Sequence, residues 1–279
     1  MTQQPTISEF KDSSARLCLK AVPFILHPSS LFLSLCLCAA QPKSGLRPEP
    51  RLSPQAAEIE GRQLAADLLV QKPTSSSTNS GVMSFRQPNA QRRQANVVFA
   101  VVLTTTNWMN LYRADRGDAG QSVELTIIHS DNQPNQYLLR KGAQAADPNA
   151  PALKLTGNQT MVPFAGSDFW IADLGLEFFH WPKQLLIKDE MRRGRACHML
   201  EAINPKPAPG AYSKVDSWID NETGGIVHAE AYDDSAKLLK EFDPKKFEKI
   251  NGQWQLEGME IRNIQTGSRT RIDFNLNVP

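Results

Sequence analysis

The sequence predicts a mainly β (α+β) fold, an antiparallel sheet with little helix. From Gly81 onward apolar side chains recur every second residue, the period of a strand with one buried face. Turn sequences separate these runs, and Asn251-Gly252 is the strongest of them, because a tight two-residue hairpin needs positive φ at both positions. The last run is the plainest case. Thr270, Ile272, Phe274, Leu276 and Val278 point one way, and Arg271, Asp273, Asn275 and Asn277 the other.

Bulk properties exclude little else. At 279 residues the chain is long enough for one or two domains and a sizeable core. Its 41% hydrophobic and 22% charged content suits a soluble globular protein, and a formal charge of +2 supplies no pull towards nucleic acid or anionic membrane.

Residues 1–40 stand apart. Arg16 and Lys20 precede the apolar segment Ala21 to Ala40, whose denser half reads "LFLSLCLCAA". A basic flank, a short apolar run and a small-residue end form a secretory signal pattern. The alternative is an N-terminal anchor, since the twenty residues from Ala21 could just span a bilayer. Three prolines then make residues 41–52 a Pro-rich linker, and 53–279 is expected to form a single domain. Three of the four cysteines, Cys18, Cys36 and Cys38, lie in the leader. Cys197 therefore has no disulfide partner in the mature part and is expected to pack as a small buried hydrophobe.

The elements follow in chain order. Ser53-Pro54 starts a helix through Val70, with Ser at the cap and Pro in the first turn. Ile59, Leu64, Leu68 and Leu69 are expected on its buried face. "TSSSTNS" reads as a flexible loop. "ANVVFAVVLTTT" is apolar on both faces, which suits a strand covered on both sides. "NWMNLYRA", "SVELTIIHS" and "NQYLLRKG" are further strands. In "GSDFWIADLGLEFFHWPKQLL", Asp168 can cap a short helix that Gly175 and Pro182 limit. The aromatics of this stretch must bury in a core or line a cavity. A meander of hairpins follows: "ACHMLEAIN", "YSKVDSWID", "IVHAEAYDD", "SAKLLKEFD", and the pair around Asn251-Gly252.

No pattern calls for catalysis. There is no nucleophile elbow, phosphate loop or dinucleotide fingerprint. One mature cysteine and scattered histidines cannot supply a four-ligand zinc cage. His198 and Glu201, three apart on a predicted strand, face opposite sides. His180 among aromatics reads as packing. No metal, cofactor or nucleic-acid partner is expected. What remains is a curved sheet whose inner face is closed by helices, leaving an apolar pocket between the layers.

The block from Gly166 to Val278 resembles the LolA-like, outer-membrane lipoprotein-sorting protein family. The matching pieces are "GSDFWIADL", "GRACHMLEAINPKP", "YSKVDSWIDNETGGIVHAEAYDDSAKLLKEF" and "KINGQWQLEGMEIRNIQTGSRTRIDF". The resemblance implies a strongly curved antiparallel sheet forming an incomplete barrel (LolA/LolB-like), with helices covering its concave face. It implies a periplasmic role in shielding lipoprotein acyl chains or other lipid, with inner- and outer-membrane sorting partners. In the well-known carriers a cavity arginine helps hold the helical lid closed, and Arg86, Arg93 and Arg113 are the candidates here. Trp108, Met109, Phe169, Trp170, Phe178, Phe179 and Trp181 are expected to line or close an apolar cavity; the alternative is that they fill a solid core. In that case the protein would be an envelope-tethered structural or interaction module.

Overall fold

A computed structural model of the protein describes residues 52–115, 122–131, 133–250 and 253–275. The signal or anchor region, the linker up to Arg51, the hairpin tip Asn251-Gly252 and the strand positions Leu276 and Val278 lie outside the described residues.

Helix α1 runs Pro54–Leu69, with the Ser53 hydroxyl accepting from the Ala56 amide at 3.2 Å. Its packed stripe is not the expected one. Gly61 and Ala65 are buried, Leu64, Leu68 and Leu69 are partly buried, and Ile59 is 60% exposed. Small residues set this contact because the helix lies close against strand β7, Lys183–Arg192. A Cβ on Gly61 would sit 2.7 Å from the backbone of Gln184 and Leu185.

Six strands follow as a meander: β1 Ser77–Arg86, β2 Arg93–Leu103, β3 Asn107–Asp115, β4 Val123–Ser130, β5 Gln136–Lys141 and β6 Leu153–Leu155. Residues 156–182 then carry the chain across to the far edge. This crossing segment contains α2, Ile171–Leu174, and 3-10 turns at Gly157–Thr160 and Glu177–His180. From β7 a second meander returns through β8 Arg195–Ile203, β9 Lys214–Asp220, β10 Ile226–Tyr232, β11 Leu238–Ile250, β12 Gln253–Asn263 and β13 Arg269–Asn275. Pairing of β1 with β13, from Ser80↔Asn275 to Arg86↔Arg269, joins the two into one 13-stranded antiparallel sheet. β6 and β7 remain its edges, so the curved sheet does not close. The strands flanking Asn251-Gly252 pair Ile250 with Gln253, as a tight hairpin requires.

Two expectations are corrected here. Ser77–Ser80, read as loop, form the start of β1, because β2 supplies their backbone partners and a paired ladder outweighs the weak strand preference of Ser and Asn. Strand β2 is covered on both sides only at Ala100 and Val101; towards its start Ala95 and Val97 are buried on one face, whereas Asn96 and Val98 on the other are exposed.

Both apolar clusters lie on the face that the crossing segment packs against, called the inner face below. One gathers Met83, Leu125 and Ile127 beneath Phe164, Phe169 and Ile171. The other gathers Leu200, Ile219 and Tyr212 beneath Phe178, Phe179 and Ala65 of α1. The opposite face of the second meander is polar. Lys214 bonds Glu201 at 2.8 Å, Arg262 bonds Glu241 at 2.6 Å, and the His228 imidazole bonds Asp243 at 2.7 Å. Cys197 is fully buried within β8.

Candidate functional site: a cavity beneath the crossing segment

The two clusters do not meet without a gap. Between the crossing segment and the inner face of the second meander lies a cavity of about 230 Å³. Phe169, Leu174 and Phe178 bound it from the crossing segment, and Val215, Ala229, Ala231, Phe242 and Ile261 from the strands. Alanines at 229 and 231 leave the room, since larger side chains there would reach the segment above.

Two links hold the crossing segment down. The Asp168 carboxylate accepts from the Ser268 hydroxyl and, at 2.8 Å, from Thr270 Oγ1, while the Asp168 amide donates to Thr270 Oγ1 at 2.9 Å. Asp168 therefore pins the segment to β13 and does not cap α2, as the sequence suggested. The cap position is Trp170, whose amide donates to the Asp173 carboxylate at 2.7 Å. On the other side, buried Tyr137 donates to Glu177 at 2.7 Å, and Asn135 donates to the Gly175 carbonyl at 2.8 Å.

One part of the wall is polar. Asp173 also accepts from Tyr212 Oη at 2.9 Å, and Lys240 Nζ stands 3.7 Å from its carboxylate. Strand alternation places Lys240 on the inner face with Phe242, and the residue is 1% exposed. Its ammonium lies 3.6 Å from the Trp170 ring centroid and makes no hydrogen bond. Burial pushes the Lys240 pKa down to about 7, against the opposing pull of Asp173. The same burial raises the Asp173 carboxyl above its usual range, although Lys240, Trp170 and Tyr212 all oppose the shift. Asn110 brings a second buried polar atom to the lining, Oδ1, without a partner.

The expected ligand-binding residues divide by place. Phe169 and Phe178 line the cavity. Trp170 stacks on Tyr212 at 4.4 Å, at the polar end. Phe179 and Trp181 pack edge-on around Phe178 in the second cluster. Trp108 stacks on His129 at 3.8 Å near the start of β3, and burial lowers the His129 pKa to about 4. Met109, next to Trp108 on the same strand, faces the other side of the sheet. None of the three candidate arginines lines the cavity. Arg86 pairs across with Arg269, Arg93 lies over the Phe85 ring at 5.7 Å, and Arg113 is opposite Glu124 on the other face from Tyr112. The cation in the wall is Lys240, which sequence reasoning passed over. His198 and Glu201 take separate partners, Asp189 and Lys214. His180 Nε2 is buried without a hydrogen bond. Among the described residues no cluster of His, Cys, Asp and Glu could hold a metal ion, and no helix is long and apolar enough to cross a membrane.

This architecture recurs in solved structures. A DUF1329 family protein from Desulfovibrio piger matches with a TM-score of 0.61 at 20% identity, covering 78% of this chain and 91% of that one. A domain described as outer membrane lipoprotein-sorting, from Vibrio parahaemolyticus, matches with a TM-score of 0.63 at 20% identity and the same coverage. A LolA superfamily protein from Nitrosomonas europaea matches with a TM-score of 0.52 at 14% identity, again over 78% and 91% of the two chains. The fold is LolA-like.

A family model described only as "-like: Uncharacterized protein" matches residues 150–277. No curated protein matches the chain. The family match begins just before the crossing segment and takes in the whole second meander. That stretch of the LolA-like sheet contributes every lining residue of the cavity except Asn110 and Tyr112.

Proposed function

We propose that the protein is an exported envelope protein that binds acyl chains of lipoproteins or lipids, a carrier of the outer-membrane lipoprotein-sorting type. Residues 53–279 act as a single LolA-like domain, with α1 and the crossing segment as the helical cover over the concave face. The observation that carries the reading is the apolar cavity under a segment held by side-chain links. The likeness to a lipoprotein-sorting domain and a LolA superfamily protein supports it. Phe169, Phe178 and Trp170 contact the cargo first; Trp108, Phe179 and Trp181 would follow only if the cover shifts, and Met109, on the opposite face of the sheet, takes no part. Binding of this kind needs a dry surface and no reacting group, cofactor or nucleotide.

Size sets the mode of binding. At about 230 Å³ the cavity is below the roughly 300–1,000 Å³ of drug-sized ligand sites, so it takes part of one chain while the cover is down. Each buried methylene contributes about 0.8 kcal/mol, so a handful already supports useful affinity. A larger cargo requires the crossing segment to lift. The proposed compartment is the periplasm, reached through the signal region, or an anchored position facing it.

The test is titration of the full chain's exported form with a fluorescent fatty acid, alongside Ala229→Trp, which fills the cavity. Saturable binding that weakens about tenfold or more in Ala229→Trp is expected, the loss of two or so buried methylenes. Equal affinity in the variant would remove the cavity as the site. One observation favours a second reading, an envelope-tethered interaction module: Phe178, Phe179 and Trp181 pack ring against ring as an ordinary core does. Complete absence of saturable binding would decide for that module.

A further inference from the structure

A buried ammonium without a hydrogen bond is a costly thing for a fold to keep. Lys240 is one, and it stands in the polar part of the wall of a mostly apolar cavity. Its nearest carboxylate does not satisfy it. Asp173 is 3.7 Å away, beyond hydrogen-bond reach, and both its oxygens already accept, one from the Trp170 amide and one from Tyr212. The face of Trp170 supplies electrostatic attraction to the ammonium but no acceptor lone pair. The donors of Lys240 thus have no protein acceptor within hydrogen-bond reach, and Lys240 is one of the residues that line the cavity.

From this geometry we infer that the cavity takes a single-chain amphiphile whose carbonyl oxygen accepts a hydrogen bond from Lys240 while its chain lies against Ala229, Ala231 and Phe242. The inference rests on the acyl-binding reading and adds the head-group chemistry to it. Asp173 offsets the charge of Lys240, so the acceptor need not be a full anion. A carboxylic acid and an acyl ester or amide share the required carbonyl, and they differ in source: free fatty acid in the first case, esterified or lipoprotein acyl chains in the second. The volume of about 230 Å³ admits one chain in part and not several side by side.

The experiment is displacement of a bound fluorescent fatty acid from the exported protein by decanoic acid, methyl decanoate and decane. In the wild type the acid, the ester or both should compete at about tenfold lower concentration than decane, the size of one hydrogen bond to a charged donor. Lys240→Met, close in volume, should lose that preference while still binding decane. Competition by the acid alone assigns free fatty acid, and competition by both assigns acyl carbonyls in general. If decane competes as well as either, or if Lys240→Met keeps the preference, the inference is overturned and water is the partner of Lys240; the cavity reading then survives. If the fluorescent chain itself fails to bind the wild type, the carrier reading falls and this inference with it. Should Lys240→Met not fold, the lysine Nζ signal of ¹⁵N-labelled wild type answers the same question. It should move with decanoic acid or its ester and not with decane, and an unmoved signal rejects the inference.

Discussion

At the scale of single residues, Lys240 carries both the strain and the interest of the site. Read backward from Phe242, strict alternation in "LLKEFD" puts Lys240 on the apolar face, so its placement was legible in principle. Its neighbours were not, because Asp173, Trp170 and Tyr212 come from distant parts of the chain. The depressed pKa has a definite consequence for stability. Below about 7 both the folded and unfolded chains hold the Lys240 proton, and the burial penalty is fully present. Between about 7 and the ordinary lysine value of 10.5 the unfolded chain binds more protons, so the Lys240 contribution to stability rises with pH. Asp168, Asp173 and Tyr212 face the same ammonium, and the raised carboxyl of Asp173 acts with the opposite sign, making stability fall as pH rises above its ordinary value. Lys240→Met should therefore be more stable than wild type at neutral pH, with the gap shrinking towards pH 10 or so. Urea unfolding of both proteins across that range measures it. A constant gap would mean that Lys240 does not titrate in the fold.

At the scale of elements, the sequence located most strands well, because a half-buried sheet writes its period into the side chains. β3, β4, β5, β8, β9 and β10 all fall on runs visible as alternation. The exceptions share a cause. The start of β1 is Ser- and Asn-rich and becomes strand only through its neighbours. The packed face of α1 is set by how near another backbone approaches, and that is invisible in a hydrophobic stripe. Gly61 tests this point. Alanine there gains up to about 1 kcal/mol of helix propensity, but its methyl would press on the backbone of Gln184 and Leu185. Overpacking against backbone costs about 1–3 kcal/mol and should win. Gly61→Ala should raise amide exchange across residues 54–69 while β1–β5 stay protected. Unchanged protection of α1 would show that the helix tolerates the methyl by shifting.

At the scale of the whole molecule, two meanders become one sheet through β1 and β13, and residues 156–182 cross between its edges. Asp168 ties that crossing to β13 across 102 residues of sequence. Asp168→Ala should cost about 1–3 kcal/mol, because the Ser268 and Thr270 hydroxyls lose their acceptor in a buried place. It should also speed proteolytic cleavage within 157–182 relative to the strands. A variant with wild-type stability and cleavage rate would mean that the clamp is not what holds the crossing segment.

By itself the sequence determined the fold class, the positions of most strands and the absence of familiar catalytic motifs. It also carried the resemblance that the fold comparisons now support. All of these rest on local period, turn chemistry and short motifs, which a chain displays without being folded. Only the tertiary structure decided that a cavity remains, that Phe169 and Phe178 line it while Met109 turns away, and that its cation is Lys240 and none of the three arginines. Those outcomes depend on residual volume and on the meeting of groups far apart in the chain, and neither quantity exists until the sheet and its crossing segment have packed.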